Sequence, residues 1–319
     1  MNHPPTGAFE ASEAVDLSWS DLQDRPIHDH VLLVKPTHFD VSYEINPYMG
    51  GEVDTARARE QWEFLRECCE RYATSVTVLD PDETWASLSA GEVALPEGVP
   101  DPEPPADLPD LVFAANLGLP TSRGDAIVAA SMATEERRGE IAHAISWARR
   151  AGYEILEPLS AAFEGTGDAL WHPGKRLLWG GYGVRSELAA HRELADRLDV
   201  PILALELTDD RYYHLDVCLT PLDETTALIQ PEAFTADGLA RLESVFDQLI
   251  EIPVTESHEG MAGNARCLDG EHVLVPAGNP RTESRLSEAG YEPVPVETGE
   301  FEKAGGSVFC LTLALGDPA

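Results

Sequence analysis

From residue 31 to residue 315, short apolar segments alternate with amphipathic helical ones, and neither kind runs long before the other returns. Apolar runs at 31–34, 75–79, 111–115, 126–130, 176–179, 202–205, 215–219, 226–229, 273–275, 292–296 and 308–315 read as strands. Helical spacing is predicted over 54–72, 135–150, 186–197, 236–249 and 284–289. The pattern groups into about five units of two or three strands and one helix, which restricts the chain to an α/β or α+β architecture. No apolar run approaches the ~20 residues that span a bilayer. Seven prolines between Pro81 and Pro109 interrupt the alternation, which then resumes unchanged. Residues 80–110 are therefore expected to be a surface insertion or lid, with Trp85 as an anchor, rather than a linker. The expected organisation is an acidic, loose arm over 1–26 and a single domain over 27–319. The start, Met1-Asn2-His3-Pro4-Pro5, has neither the basic flank nor the apolar core of a secretory signal.

The net charge is −35 and only Lys35, Lys175 and Lys303 are lysines. Such a surface repels phosphate backbones and anionic lipids, so no nucleic-acid or membrane partner is expected. Adaptation to a salty cytoplasm and an arginine-favouring genome both account for this composition. The five cysteines (68, 69, 218, 267 and 310) have no CxxC spacing, which points to a reduced, cytoplasmic chain without a metal site. No GxGxxG or Walker sequence is present, and no cofactor is expected.

Chemistry concentrates where apolar strands end in polar or Gly-rich residues. These places are Tyr43-Glu44-Ile45-Asn46-Pro47, Phe113-Ala114-Ala115-Asn116, Phe163-Glu164-Gly165-Thr166-Gly167-Asp168, Tyr212-Tyr213-His214-Leu215-Asp216 and Gly305-Gly306-Ser307-Val308-Phe309-Cys310. Strand ends facing one axis would build one pocket from all five. Taken alone, Cys310 reads more readily as a buried core thiol than as a nucleophile. A His and a Glu elsewhere in the chain supply a proton-transfer group and an anionic orienter.

The motifs FEGxGD (163–168), GYGxRS (181–186), YHLD (213–216) and GGxxxCLTL (305–313) occur in that order, and the chain resembles the guanidino-group-modifying superfamily over about residues 31–315. That superfamily comprises arginine deiminases, dimethylarginine dimethylaminohydrolases, amidinotransferases and arginine dihydrolases. The resemblance implies a five-bladed pseudo-symmetric α/β-propeller of ββαβ units around a central polar pocket. It implies Cys310 as nucleophile, His214 as general acid/base, and Glu164 as the carboxylate that binds the guanidinium and positions His214. Asp216 is expected to share a strand face with His214 and to touch substrate or imidazole. Asp168 braces the Gly-rich loop or contacts substrate. Arg185 is expected to bind the substrate carboxylate, with Arg137 a second candidate or a solvated helix residue.

Asn116 departs from the Asp that deiminases and dimethylargininases carry at this strand end, and Asn46 stands in an earlier unit. A neutral amide both donates and accepts, so it suits a ureido group as well as a cation. This places the chain nearest the arginine dihydrolases, which convert arginine to ornithine, CO2 and two ammonia. The implied partner is a small molecule, arginine or a methylated arginine, and self-association into a homo-oligomer is compatible with the sequence. Rival readings are a dimethylarginine hydrolase, for which Asn116 merely retunes the pocket, an amidinotransferase, and a catalytically silent propeller of the ribosome anti-association type. The last lacks the Cys/His/Glu set.

Overall fold

The computed structural model describes residues 5–15, 17 and 19–318, so the first four residues of the segment read for a leader lie outside it. The architecture is mixed α/β, with five small sheets. All five repeat one connectivity: a short first strand pairs antiparallel with a central strand, and a helix then leads to a third strand parallel to the central one. One such unit runs Gly118–Pro120, Ala126–Ala129, helix Glu140–Ala151, Glu154–Leu156. The next runs Ala169–Trp171, Leu178–Tyr182, helix Leu188–Leu198, Pro201–Glu206. Two more follow, from Leu219–Pro221 to Gln248–Glu251 and from Arg266–Cys267 to Glu292–Val296. The fifth joins the two ends of the chain: Thr312–Leu315 pairs with His30–Val34, which pairs with Ser75–Leu79 across helix Thr55–Tyr72. Central strands are buried on both faces, as Val31 to Val34 illustrate with 0–1% exposure. Each such aliphatic side chain contributes roughly 1.5–3 kcal/mol of burial. That double burial is why these strands read as continuous apolar runs rather than alternating ones.

One expected strand is absent and two are shorter than read, and the lost residues matter. Residues 111–115 form two 3-10 turns, Pro109–Val112 and Ala114–Leu117. Residues 215–219 begin as a 3-10 turn, Leu215–Val217, and 308–315 is strand only over Thr312–Leu315. Each turn feeds the first strand of a unit, and hydrogen bonds link the turns in a cycle. Ala115 N donates to Cys310 O at 3.0 Å, and Thr166 Oγ1 to Ala115 O at 2.8 Å. Leu215 N donates to Asp168 Oδ1 at 3.0 Å, Asn264 Nδ2 to Asp216 O at 3.1 Å, and Phe309 N to Asn264 O at 3.1 Å. Buried backbone groups that have left the strand ladders are satisfied by one another and by side chains of the neighbouring turns.

The segment read as an arm contains a strand, Gly7–Glu10, which adds parallel to Pro201–Glu206. The Pro-rich segment likewise opens with helix Pro81–Ser89, because Asp80 caps it and Pro81 occupies a first-turn position where no N–H is needed. His143 of helix Glu140–Ala151 bonds Thr84 at 2.7 Å and the Glu103 carbonyl at 2.9 Å, which ties this segment down. Among the described residues no helix is long and apolar enough to cross a membrane.

Candidate active site

The turns gather Cys310, His214, Asp216, Glu164, Asp168 and Asn116 at the same ends of the first strands, all of them buried. Asn46, Asp110, Asn116, Arg137, Arg185, His214 and Cys310 line a small cavity. Only glycine fits at 167, since a Cβ there would lie 2.5 Å from Asn116 Nδ2 and 3.2 Å from His214 Nδ1. Gly305 holds φ +88° beside Asn46, and the turn that presents the thiol depends on that left-handed geometry.

Cys310 Sγ donates to Asp216 Oδ2 at 3.2 Å and receives Asn264 Nδ2 at 3.1 Å. Asn264 Oδ1 in turn accepts from the backbone N–H of Ser307 and of Cys310, each at 3.1 Å. Burial pushes the Cys310 thiol well above its ordinary range, and the facing Asp216 carboxylate adds to that. Burial also pushes Asp216 up to about 6, against the opposing charge of His214. The free protein therefore holds a protonated thiol against Asp216. Asp216→Asn removes the negative charge, so thiol alkylation at pH 8 is expected to quicken several-fold and its pH midpoint to fall. Iodoacetamide kinetics followed on the Cys310 peptide check this; an unchanged midpoint would contradict it.

His214 does not touch Cys310. Its Nε2 meets Glu164 Oε2 at 2.7 Å, while Nδ1 is buried without a partner. Burial disfavours the imidazolium, but Asp168 and Glu164 outweigh it and raise His214 above its usual value. Glu164 goes the other way: burial alone would raise it, and the His214 contact, Arg185 and Arg137 bring it below the ordinary range. Its second oxygen accepts from Ala133 N at 3.1 Å. The thiol and the imidazole thus face one cavity from two walls.

Asp168 is a brace. It accepts from Ser186 Oγ at 2.6 Å and from Leu215 N at 3.0 Å, which ties the GYGxRS segment to the His214 turn. Asp216 lies in a 3-10 turn, so the expected shared strand face with His214 does not exist. It reaches Cys310 instead. Arg137 is not a solvated helix residue: it is buried, with Nε and Nη2 on the Glu140 carboxylate at 2.9 and 2.8 Å. Its Nη1 donates to Asn116 Oδ1 at 3.0 Å, and Asn116 Nδ2 donates to Glu164 O at 3.1 Å. One acceptor lone pair and one N–H of that amide remain uncommitted by these bonds. Arg185 bonds the Ile45 carbonyl, lies 3.5 Å from Glu164 and stacks over Tyr213. Asn46 is partly buried and holds Ala304 O at 3.1 Å and Tyr48 N at 3.0 Å.

Sequence reasoning missed Asn264, Asp110 and Glu140. A signal existed for the first: Asn116, Thr166, Asp216, Asn264 and Cys310 recur roughly every 50 residues, each two or three positions before a first strand begins. Asp110 lines the cavity, and burial lifts it to about 6 although Arg137 opposes.

The bifunctional arginine dihydrolase/ornithine cyclodeaminase AgrE of Nostoc is 34% identical over 90% of this chain, which spans 38% of AgrE. The N(G),N(G)-dimethylarginine dimethylaminohydrolase of Mycobacterium tuberculosis is 34% identical over 89% of this chain and 84% of its own. The N-terminal domain of the cyanobacterial arginine dihydrolase ArgZ superposes with a TM-score of 0.78 at 32% identity, covering 91% of this chain and 98% of that domain. It has been solved as a cysteine-to-serine variant bound to substrate and as an asparagine-to-serine variant covalently bonded to a reaction intermediate. The model of the eukaryotic N,N-dimethylarginine dimethylhydrolase family matches residues 99–315, and the chain belongs to that family.

Proposed function

We propose that this protein hydrolyses the guanidino group of arginine through a covalent Cys310 intermediate, acting twice to give ornithine, CO2 and two ammonia. The observation that carries the reading is that Cys310 and His214 line one buried cavity together with a neutral amide, Asn116, while Glu164 holds His214 from behind. Around that cavity Asp110, Glu140, Glu164, Asp168 and Asp216 outnumber Arg137 and Arg185, which favours a cationic ligand. The cycle of linked turns supports a further reading, that the five units over 27–319 close into a single catalytic five-bladed propeller with the site at its axis.

In this mechanism the guanidinium lies between Glu164 and Asp216, and its charge favours thiolate formation at Cys310. The thiolate adds to the guanidino carbon, His214 protonates the departing amine, and an S-alkylthiouronium remains on Cys310. His214 then takes a proton from water, which adds to the same carbon, and collapse to the ureido product returns the thiol. The remaining polar atoms of Asn116 suit the neutral ureido oxygen and nitrogen, where a carboxylate would face the oxygen with no compensating bond. That lets the product stay for a second attack. Arg185 binds the substrate carboxylate, since Glu140 already occupies Arg137, whose part is to hold Asn116 in register. The Pro-rich segment flanks the entry: Gly98, Val99 and Pro100 line a cleft that shares Arg185 with the cavity.

Hydrolysis of dimethylarginine is the second reading, favoured by the family match. Purified enzyme supplied with arginine or dimethylarginine, with ammonia and dimethylamine both quantified, separates the two. Arginine is expected to have the higher kcat/KM by at least tenfold; a preference for dimethylarginine would replace the first reading with the second.

A further inference from the structure

A second cavity sits at the opposite ends of the first strands, where Pro120, Trp171, Pro221, Leu268 and Ala314 lie. It shares no lining residue with the catalytic cavity. Its charge is the reverse of the chain's. In a protein of 57 acidic and 22 basic residues, Arg25 and Arg266 line it and, among the described residues, no Asp or Glu does.

Neither arginine is paired with a carboxylate among the described residues. Arg25 is more than nine-tenths buried, its guanidinium lies 4.8 Å from the Trp171 ring centroid, and its Nε–H meets no acceptor. Its one side-chain bond runs to His28 Nδ1 at 2.8 Å, which fixes that nitrogen as an acceptor and His28 as neutral. Arg266 stacks 3.6 Å above Phe309 and commits two of its five donors to Thr312, at 3.0 and 2.8 Å. Burial lowers Arg25 to about 9, and lowers Arg266 to about 10 even though Cys69, Asp216 and Cys310 oppose the shift. A guanidinium taken out of water without a partner is costly, and a bound anion would offset that cost.

We infer that this cavity is a binding site for a small aliphatic carboxylate, held by Arg25 and Arg266. Planar guanidinium forks match carboxylate geometry, and Ile27, Trp171, Leu222, Leu268 and Phe309 give an apolar wall that suits an organic body better than an inorganic ion. The site is built from the far ends of the strands whose near ends carry the catalytic turns. Through Arg266, Phe309 and Thr312 it abuts the segment that bears Cys310.

Calorimetric titration of the full chain with succinate, and separately with inorganic phosphate at matched ionic strength, tests the assignment. Succinate is expected to bind at one site per chain and more tightly than phosphate. Arg25→Gln should weaken it at least tenfold. Ile27→Glu, at a lining position that is 54% exposed and so safe for folding, should weaken it comparably by placing a carboxylate at the cavity wall. Absence of succinate binding, or equal binding by wild type and both variants, would overturn the site. Phosphate binding as tightly as succinate would overturn the carboxylate assignment.

Discussion

Cys310→Ala is expected to lower kcat for arginine by roughly ten-thousand-fold or more, as removal of a nucleophile does when no other group can form the covalent intermediate. The fold should survive. Asn264 still accepts the Ser307 and Cys310 backbone N–H groups, and only its donor bond to sulfur and the Asp216 contact are lost. Removing the thiol also leaves Asp216 free to attract the guanidinium, so arginine should bind the variant with undiminished affinity. Ammonia release in a coupled assay, with calorimetric arginine binding as the control for folding, checks both halves. Near-wild-type turnover would exclude Cys310 as the nucleophile.

Glu164→Gln is the second large effect, with kcat/KM expected to fall by roughly a hundred- to ten-thousand-fold, the range of a lost acid–base partner. Two mechanisms add. The glutamine cannot balance the guanidinium charge, which raises KM. It also withdraws the carboxylate that, with Asp168, holds His214 above its usual pKa, so less imidazolium is available to protonate the leaving amine and kcat falls. The sign of the pH effect follows. Where activity needs His214 protonated, the alkaline limb of the kcat profile should move to lower pH in the variant. A variant with lower kcat/KM but an unmoved limb would assign Glu164 to substrate binding alone.

Much of this site was legible before the structure because its chemistry rests on residue types that cannot substitute for one another. The ordered motifs FEGxGD, YHLD and GGxxxCLTL, through their resemblance to the guanidino-modifying superfamily, pointed to Glu164, His214 and Cys310, which the fold brings into one neighbourhood. The α/β class was legible from the alternation, and helix Thr55–Tyr72 from its spacing. The turns were not. Residues 111–115 and 215–219 are as apolar as strands because they are buried as strands are, and periodicity cannot tell a buried 3-10 turn from a buried strand over four residues. That error misassigned the geometry of Asp216 while leaving its neighbourhood right. Arg137 was misread because Glu135, Glu136 and Arg138 around it are solvated residues, and only tertiary packing turns its side chain inward onto Glu140. The prolines of 80–110 were read as breakers, although Asp80-Pro81 is a helix start. Asn264 escaped because only its roughly 50-residue spacing from the neighbouring turns marks it; its role appears once its amide is found against Cys310.

The central claim is that one thiol acts twice on each arginine, with Asn116 retaining the ureido intermediate between rounds. The direct measurement is product stoichiometry when a limiting, weighed amount of arginine is consumed to completion by purified enzyme, with ammonia, citrulline and ornithine quantified together. Two ammonia and one ornithine per arginine, with no accumulated citrulline, is the predicted result. One ammonia and one citrulline per arginine would contradict it.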